Sequence, residues 1–248
     1  MELIVLGSGA CKNTRRAPPG LALIIGKRPV FFDTGYGAVD RAKNAGINDE
    51  DVNYAYYTHD DPDHIADLRA LLQVPTVPEY KRHTNLYLRG TPGIKEEIDH
   101  CFKKWLGMNS PYIKFEDMSV NHHLNDKDWK ITSKEMKHGN CAIGYRIEHE
   151  EKIFVYSGDT GYCENIIELG ENADLLVLEC SYPNDKIRPN HLNPFEAGLI
   201  AKKAKAKKLA LMHFYPACDN QEEVIVAKCR KNYEGPLFLT QDYMRIMV

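Results

Sequence analysis

The chain has no Cys-x-x-Cys pair, and its seven cysteines stand apart at positions 11, 101, 141, 163, 180, 218 and 229. An odd number of scattered thiols points to a reduced, intracellular protein rather than a disulfide framework. Long apolar runs are missing as well. No segment approaches the roughly 20 apolar residues that a membrane span needs. The stretch from Met1 to Gly7 is acidic at its start, and its apolar run is too short for a signal peptide. The expectation is a soluble, cytoplasmic chain with no membrane contact. Charge of one sign is also lacking: 32 lysines and arginines face 35 aspartates and glutamates, for a formal net charge of −3. Strong non-specific nucleic-acid binding normally needs a basic surface and is not expected. The lysine-rich run 202–208 falls at a helix end, where cations suit the helix dipole, and reads as a solvated face. No linker or low-complexity stretch divides the chain, so one domain over 1–248 is expected.

What is present is a regular succession of strands and helices, and a 43% apolar content supports a sizeable core. Strands are expected over 3–6, 21–25, 30–32, 52–57 and 85–88. They return over 113–115, 129–136, 142–148, 153–156, 175–178, 209–212, 237–239 and 244–247. Helices are expected over 36–44, 64–73, 94–106, 162–169, 194–206 and 222–231. The stretch 121–125 reads as a tight turn. The wholly apolar 175–178 reads as a strand covered on both faces. Helices alternating with strands in both halves predict an α/β chain with two sheets between helices.

The run Thr58-His59-Asp60-Asp61-Pro62-Asp63-His64 directly follows the apolar stretch 52–57. Imidazole nitrogen and carboxylate oxygen are ligands that suit zinc, manganese or iron. Alternation along an extended loop would aim His59 and Asp61 one way and leave Asp63 and His64 for a second centre. A loop that merely caps the next helix would explain the aspartates but not the histidines. More such residues stand at strand ends or just before a helix. They are His138, Asp159 within Ser157-Gly158-Asp159-Thr160-Gly161, His191 in Asn190-His191-Leu192-Asn193, and His213 after Met212. Rigid strands aim residues at their ends into a shared crevice.

In this order, His59-x-Asp61-x-Asp63-His64, His138, Asp159 and His213 resemble the metallo-β-lactamase superfamily, whose usual first motif is H-x-H-x-D-H. Leu6-Gly7-Ser8-Gly9, Arg15-Arg16, Phe32-Asp33-Thr34-Gly35 and Gly144-Tyr145-Arg146-Ile147 are similar to its RNase Z-like branch. So are Tyr156 to Gly161 and the tract from His191 to His213. The resemblance covers nearly the whole chain. It implies an αβ/βα sandwich, two mixed β-sheets flanked by helices. It also implies a dinuclear site, with zinc the expected metal. His59, His138 and Asp61 would hold one divalent ion and Asp63, His64 and His213 the other, with Asp159 bridging them. Asp33 would order the ligand loop by hydrogen bonds. The resemblance assigns catalytic work to His191, Glu179 and Asp63. Glu179 beside His191 would raise the pKa of the imidazole and fix its tautomer, making a proton donor for the leaving oxygen.

The implied reaction is hydrolysis of a phosphodiester by a water held as hydroxide between two ions. Asp61, however, stands where the family has its second histidine. A carboxylate is shorter, anionic and harder than imidazole, which shifts preference toward manganese or iron, or weakens that site. Redox relatives with a carboxylate there hold two irons. A di-iron redox protein is therefore the alternative, beside a hydrolase of another small ester, lactone or thioester. Members that process tRNA carry a protruding arm ahead of the position matched by His138. The interval 112–137 is short for such an arm, so a small-molecule substrate is expected rather than tRNA. Related proteins often pair through the face near the site, and a homodimer is expected on that ground.

Overall fold

An antiparallel meander opens the chain: β1 (Glu2–Gly7), β2 (Gly20–Ile25) and β3 (Arg28–Thr34). In the two-residue turn between β2 and β3, Gly26 takes a φ of +62°, which suits a residue without Cβ. Beyond β3 the connections carry helices and the strands run parallel. Helix α1 (Ala38–Asn44) leads to β4 (Tyr54–Tyr56). Helices α2 (Pro62–Ile65) and α3 (Leu68–Gln73) precede β5 (Leu86–Gly90), and α4 (Pro92–Cys101) precedes β6 (Ile113–Asp117). The second half repeats the plan. Strands β7 (His123–Asn125), β8 (Lys130–Glu135), β9 (Ile143–His149) and β10 (Lys152–Tyr156) are antiparallel. Then α5 (Glu164–Leu169), β11 (Leu175–Glu179), α6 (Pro194–Lys203), β12 (Leu209–Met212), α7 (Glu222–Cys229) and β13 (Leu237–Leu239) continue with parallel pairing. Strand β14 (Arg245–Met247) returns to β1. The sheet orders are β14-β1-β2-β3-β4-β5-β6 and β13-β12-β11-β10-β9-β8-β7. The computed structural model describes residues 1–11, 15–73, 84–102, 112–118, 121–126, 128–139, 141–184 and 187–248.

The two sheets share one core. Leu3, Val5, Phe32 and Tyr56 of the first pack with Tyr145, Ile147, Phe154 and Val177 of the second. The Phe32 ring lies 5.3 Å from that of Phe154 and 5.8 Å from that of Tyr145. Apolar faces of α1, α3 and α4 cover the outside of the first sheet through Val39, Leu68, Leu72, Ile94 and Ile98. Ile166, Leu169, Ile200 and Ile225 cover the second from α5, α6 and α7. The layers are helices, sheet, sheet, helices, and both sheets are mixed, as the resemblance implied. No helix among the described residues is long and apolar enough to cross a membrane.

Two local expectations are corrected. The helix expected over 64–73 is two short helices, α2 and α3, and begins earlier, at Pro62. Asp67 lies at the break. Its amide donates to the Thr34 carbonyl, and its carboxylate accepts the amides of Gly37 and Val39 at the start of α1. The stretch 121–125 is not a tight turn: His123–Asn125 is the edge strand β7, paired with β8. The reversal follows it, where the Asp126 amide donates to the Trp129 carbonyl. Helix α4 begins at Pro92 as the proline predicts, while 103–106 of its expected span lie outside the described residues.

Candidate metal centre and acid pair

Parallel strands release their chains at one end of the sandwich, and the expected site residues collect there. Asp33 is near the end of β3, His59 follows β4, and His64 lies in α2. His138 follows β8, Asp159 follows β10, Glu179 ends β11 and His213 directly follows β12. Close contact of two loops is needed for this. Gly158 has a φ of +57°, and a Cβ there would fall 2.6 Å from the Thr58 Cβ.

The ligand atoms form two groups. Asp61 Oδ2 is 3.5 Å from His59 Nε2 and 3.3 Å from His138 Nε2. Asp63 Oδ2 is 3.6 Å from His213 Nε2 and 4.0 Å from His64 Nε2. Asp159 reaches both. Its Oδ1 is 3.4 Å from His64 Nε2 and 3.2 Å from His213 Nε2, and its Oδ2 is 3.9 Å from His138 Nε2. Asp61 occupies the N-cap position of α2, yet its side chain makes no capping hydrogen bond. It turns to the two imidazoles instead, which removes helix capping as its explanation.

Surrounding groups fix the ring tautomers. His64 Nδ1 donates to Asp33 Oδ2 at 2.8 Å, because a carboxylate can only accept. His138 Nδ1 donates to the Asn190 carbonyl at 2.9 Å. The Thr58 hydroxyl gives its proton to Asp33 and lies 2.9 Å from His59 Nδ1, which must then donate to it. Each ring is left with a bare Nε2 facing the carboxylates. Asp33 therefore orders the loop as expected, and it also accepts the Thr58 amide and the Tyr156 hydroxyl.

The donor set fits divalent cations. His59 Nε2 and Asp159 Oδ1 are buried with no hydrogen-bond partner. Buried polar atoms are normally satisfied, so two orphans among these residues fit a site for a cation. The ligand atoms of His59, Asp61 and His138, and those of Asp63, His64 and His213, each lie within 4.8 Å of one another. Without a cation, the carboxylates favour the charged form of two of these rings, His138 and His64. Burial pulls the His138 pKa down, but Asp61 and Asp159 outweigh it and push it up to about 9. Burial is likewise outweighed at His64, where Asp159 and Asp33 hold the pKa well above its usual value. Burial raises the Asp159 pKa, and the charges of His213 and His64 reverse this, holding it well below the usual range. The contact with His138 and the nearby His59 imidazole hold Asp61 low. At Asp63, His213 and His64 overcome burial with the same result.

Beside this centre, His191 Nδ1 is 3.0 Å from Glu179 Oε1, and Glu179 also accepts the Thr160 amide at 2.7 Å. Burial lowers the His191 pKa, but the hydrogen bond and charge of Glu179 raise it above its usual value. His191 is held two residues ahead of Asn193, the N-cap of α6, whose start is a reciprocal capping box between Asn193 and Glu196 with Pro194 at the first position. All the expected site residues are thus brought together. Missed in the sequence were Thr58, Tyr156, Asn190, Ser181 and Cys11, whose amide donates to Asp63 Oδ2. Thr58 adjoined the motif, but nothing local marked a hydroxyl or carbonyl as a partner of a distant imidazole. A cavity of about 910 Å³ opens beside Asp63, and Arg15, Arg16 and Arg41 line it together with Cys11 and Tyr36.

Comparison with known proteins places the chain's family and fold. The family model described as the beta-lactamase superfamily domain matches residues 28–214. The ribonuclease Z of Pyrococcus horikoshii is 27% identical, with 87% of each chain covered. The metallo-beta-lactamase fold protein YhfI from Bacillus subtilis has a TM-score of 0.84 at 22% identity, covering 99% of this chain and 98% of its own. The short form of human tRNase Z gives 0.80 at 17% identity, covering 100% and 99%. With the fold and the family match in agreement, the chain belongs to the metallo-β-lactamase superfamily, in its RNase Z-like branch.

Proposed function

We propose that the protein is a metal-dependent phosphodiesterase acting on a small phosphodiester at a dinuclear centre. The observation that carries this reading is the Glu179–His191 pair set against two groups of candidate ligands that both approach Asp159. His59, Asp61 and His138 would hold one ion, Asp63, His64 and His213 the other, and Asp159 would span them. When bound, such ions supply an activated water and positive charge for the developing oxyanion. Zinc suits these donors, and the carboxylate of Asp61 also admits manganese or iron. The chain's own contribution is to orient and to protonate. Glu179 holds His191 through Nδ1, which leaves the opposite ring nitrogen for the leaving oxygen. Three arginines in the neighbouring cavity favour an anionic substrate. Among the described residues, the interval 112–137 ahead of His138 carries the short strands β6, β7 and β8, which supports a small substrate over tRNA.

The test is hydrolysis of bis(p-nitrophenyl) phosphate after reconstitution with zinc, manganese or iron. We expect activity to be lost in His64→Ala and reduced about 100-fold in His191→Ala, within the usual range for a positioned acid. No turnover of phosphodiesters, lactones or thioesters with any of the three metals would sink the hydrolase reading. Asp61 favours a second reading, a di-iron redox protein, because its carboxylate lies between His59 and His138. Two irons in protein purified without added metal, together with oxygen consumption, would support it. Asp61→His is expected to strengthen zinc binding. Unchanged metal content and affinity would exclude Asp61 as a ligand.

A further inference from the structure

We infer that Ser181 is a positioning residue with two tasks. It locks His213 in the tautomer whose Nε2 faces the candidate metal centre, and it couples that imidazole to the Glu179–His191 pair. The inference rests on the reading of the centre given above. The Ser181 side chain is wholly buried. Its Oγ lies 2.5 Å from Glu179 Oε2, 3.1 Å from His213 Nδ1 and 3.2 Å from His191 Nδ1. A hydroxyl has one proton to give and can accept from its remaining neighbours. The carboxylate can only accept, so the proton goes to Glu179. His213 Nδ1 must then donate to Ser181, and Nε2 is the bare nitrogen. That atom stands 3.2 Å from Asp159 Oδ1, 3.6 Å from Asp63 Oδ2 and 3.3 Å from His64 Nε2.

Thr58 is the counterpart on the other limb. It stands between the Asp33 carboxylate and His59 Nδ1, as Ser181 stands between Glu179 and His213. The difference lies in what else the carboxylate holds. Glu179 also orients His191, so one buried hydroxyl joins a candidate ligand to the candidate proton donor. Partners of this kind fix ring orientation and raise the basicity of the ligand nitrogen. His213 also has a backbone φ of +60°, so the turn after β12 helps aim the ring but cannot choose its tautomer. That choice falls to Ser181.

The test compares Ser181→Ala and Ser181→Thr with the wild type. Zinc affinity is read by chelator competition, and the His213 tautomer by 15N NMR of the metal-free protein, assigned with His213→Gln. Ser181→Ala is expected to lose about 10- to 100-fold in zinc affinity and to show a mixed His213 tautomer. Ser181→Thr, which keeps the hydroxyl, is expected to retain more of both. Wild-type affinity with an unchanged Nδ1–H tautomer in Ser181→Ala would overturn the inference. So would an affinity loss in Ser181→Ala that leaves the tautomer unchanged. Neither readout needs turnover. A wild type without phosphodiesterase activity would therefore refute the functional reading alone.

Discussion

Asp33 shows how much one side chain can organise. It accepts hydrogen bonds from the Thr58 amide and hydroxyl, His64 Nδ1 and the Tyr156 hydroxyl, all of them buried. It does so from a left-handed backbone conformation with a φ of +52°, which a non-glycine residue adopts at some cost. Asp33→Ala should leave these donors unpaired and destabilise the fold by about 3 kcal/mol, measured by urea unfolding. Zinc affinity should fall about 10-fold or more as His64 loses its orientation. Wild-type affinity in that variant would show that the ligand loop holds itself. At this scale the sequence was legible where chemistry is local. His59, Asp61, Asp63 and His64 are neighbours in the chain, and their residue types alone suggest a cation. Ser181 and Asn190 were not legible, because a serine or a backbone carbonyl has no signature until a distant ring arrives beside it.

Among the elements, most strands were located correctly, though ends such as those of β3 and β4 differ from the expected ones by up to two residues, because apolar runs mark a strand's middle better than its limits. Helices held by packing were bounded less well. The 64–73 pattern has helical spacing, but Asp67 is used to cap α1 and splits the segment. Edge strand β7 was read as a turn, because its polar residues show no buried face and only pairing with β8 defines it. Loop-to-loop contact gives a sharp prediction. Gly158 and Gly26 both have positive φ, but a Cβ at Gly158 would meet Thr58, while one at Gly26 meets nothing within 4 Å. Gly26→Ala should cost about 1 kcal/mol from backbone strain. Gly158→Ala should cost at least about 1 kcal/mol more from overpacking, and weaken zinc binding by moving Thr58. Equal unfolding midpoints for the two variants would show that this contact is not tight.

Across the whole molecule, two polar devices lie away from the candidate site, the first between the two sheets and the second among the strands of one sheet. Arg89, 2% exposed on β5, pairs with Glu116 and with Asp126, which follows β7 in the other sheet. Arg89→Ala strands these carboxylates and should cost about 3 kcal/mol in denaturant unfolding without lowering zinc affinity. Asp174 joins Lys207 at 2.9 Å, the Ile153 amide at 3.0 Å and Lys152 at 3.4 Å. Burial raises its pKa, but these donors outweigh it and hold the carboxyl below its usual range. A lowered native pKa contributes stability that is complete above about pH 4 and is lost as pH falls through the native value. The gap in urea midpoint between wild type and Asp174→Asn should therefore be wide at pH 7 and narrow at pH 3. A gap independent of pH would exclude the charge as its source. The sequence by itself determined the periodic elements, the chemistry of the candidate ligands and the order of the candidate site residues, since these depend on neighbours along the chain. Tertiary structure alone decided how the two loop systems meet at Gly158 and which tautomer each ring holds. A hydrogen bond is directional and short, and its partner is chosen only when distant strands bring their ends together.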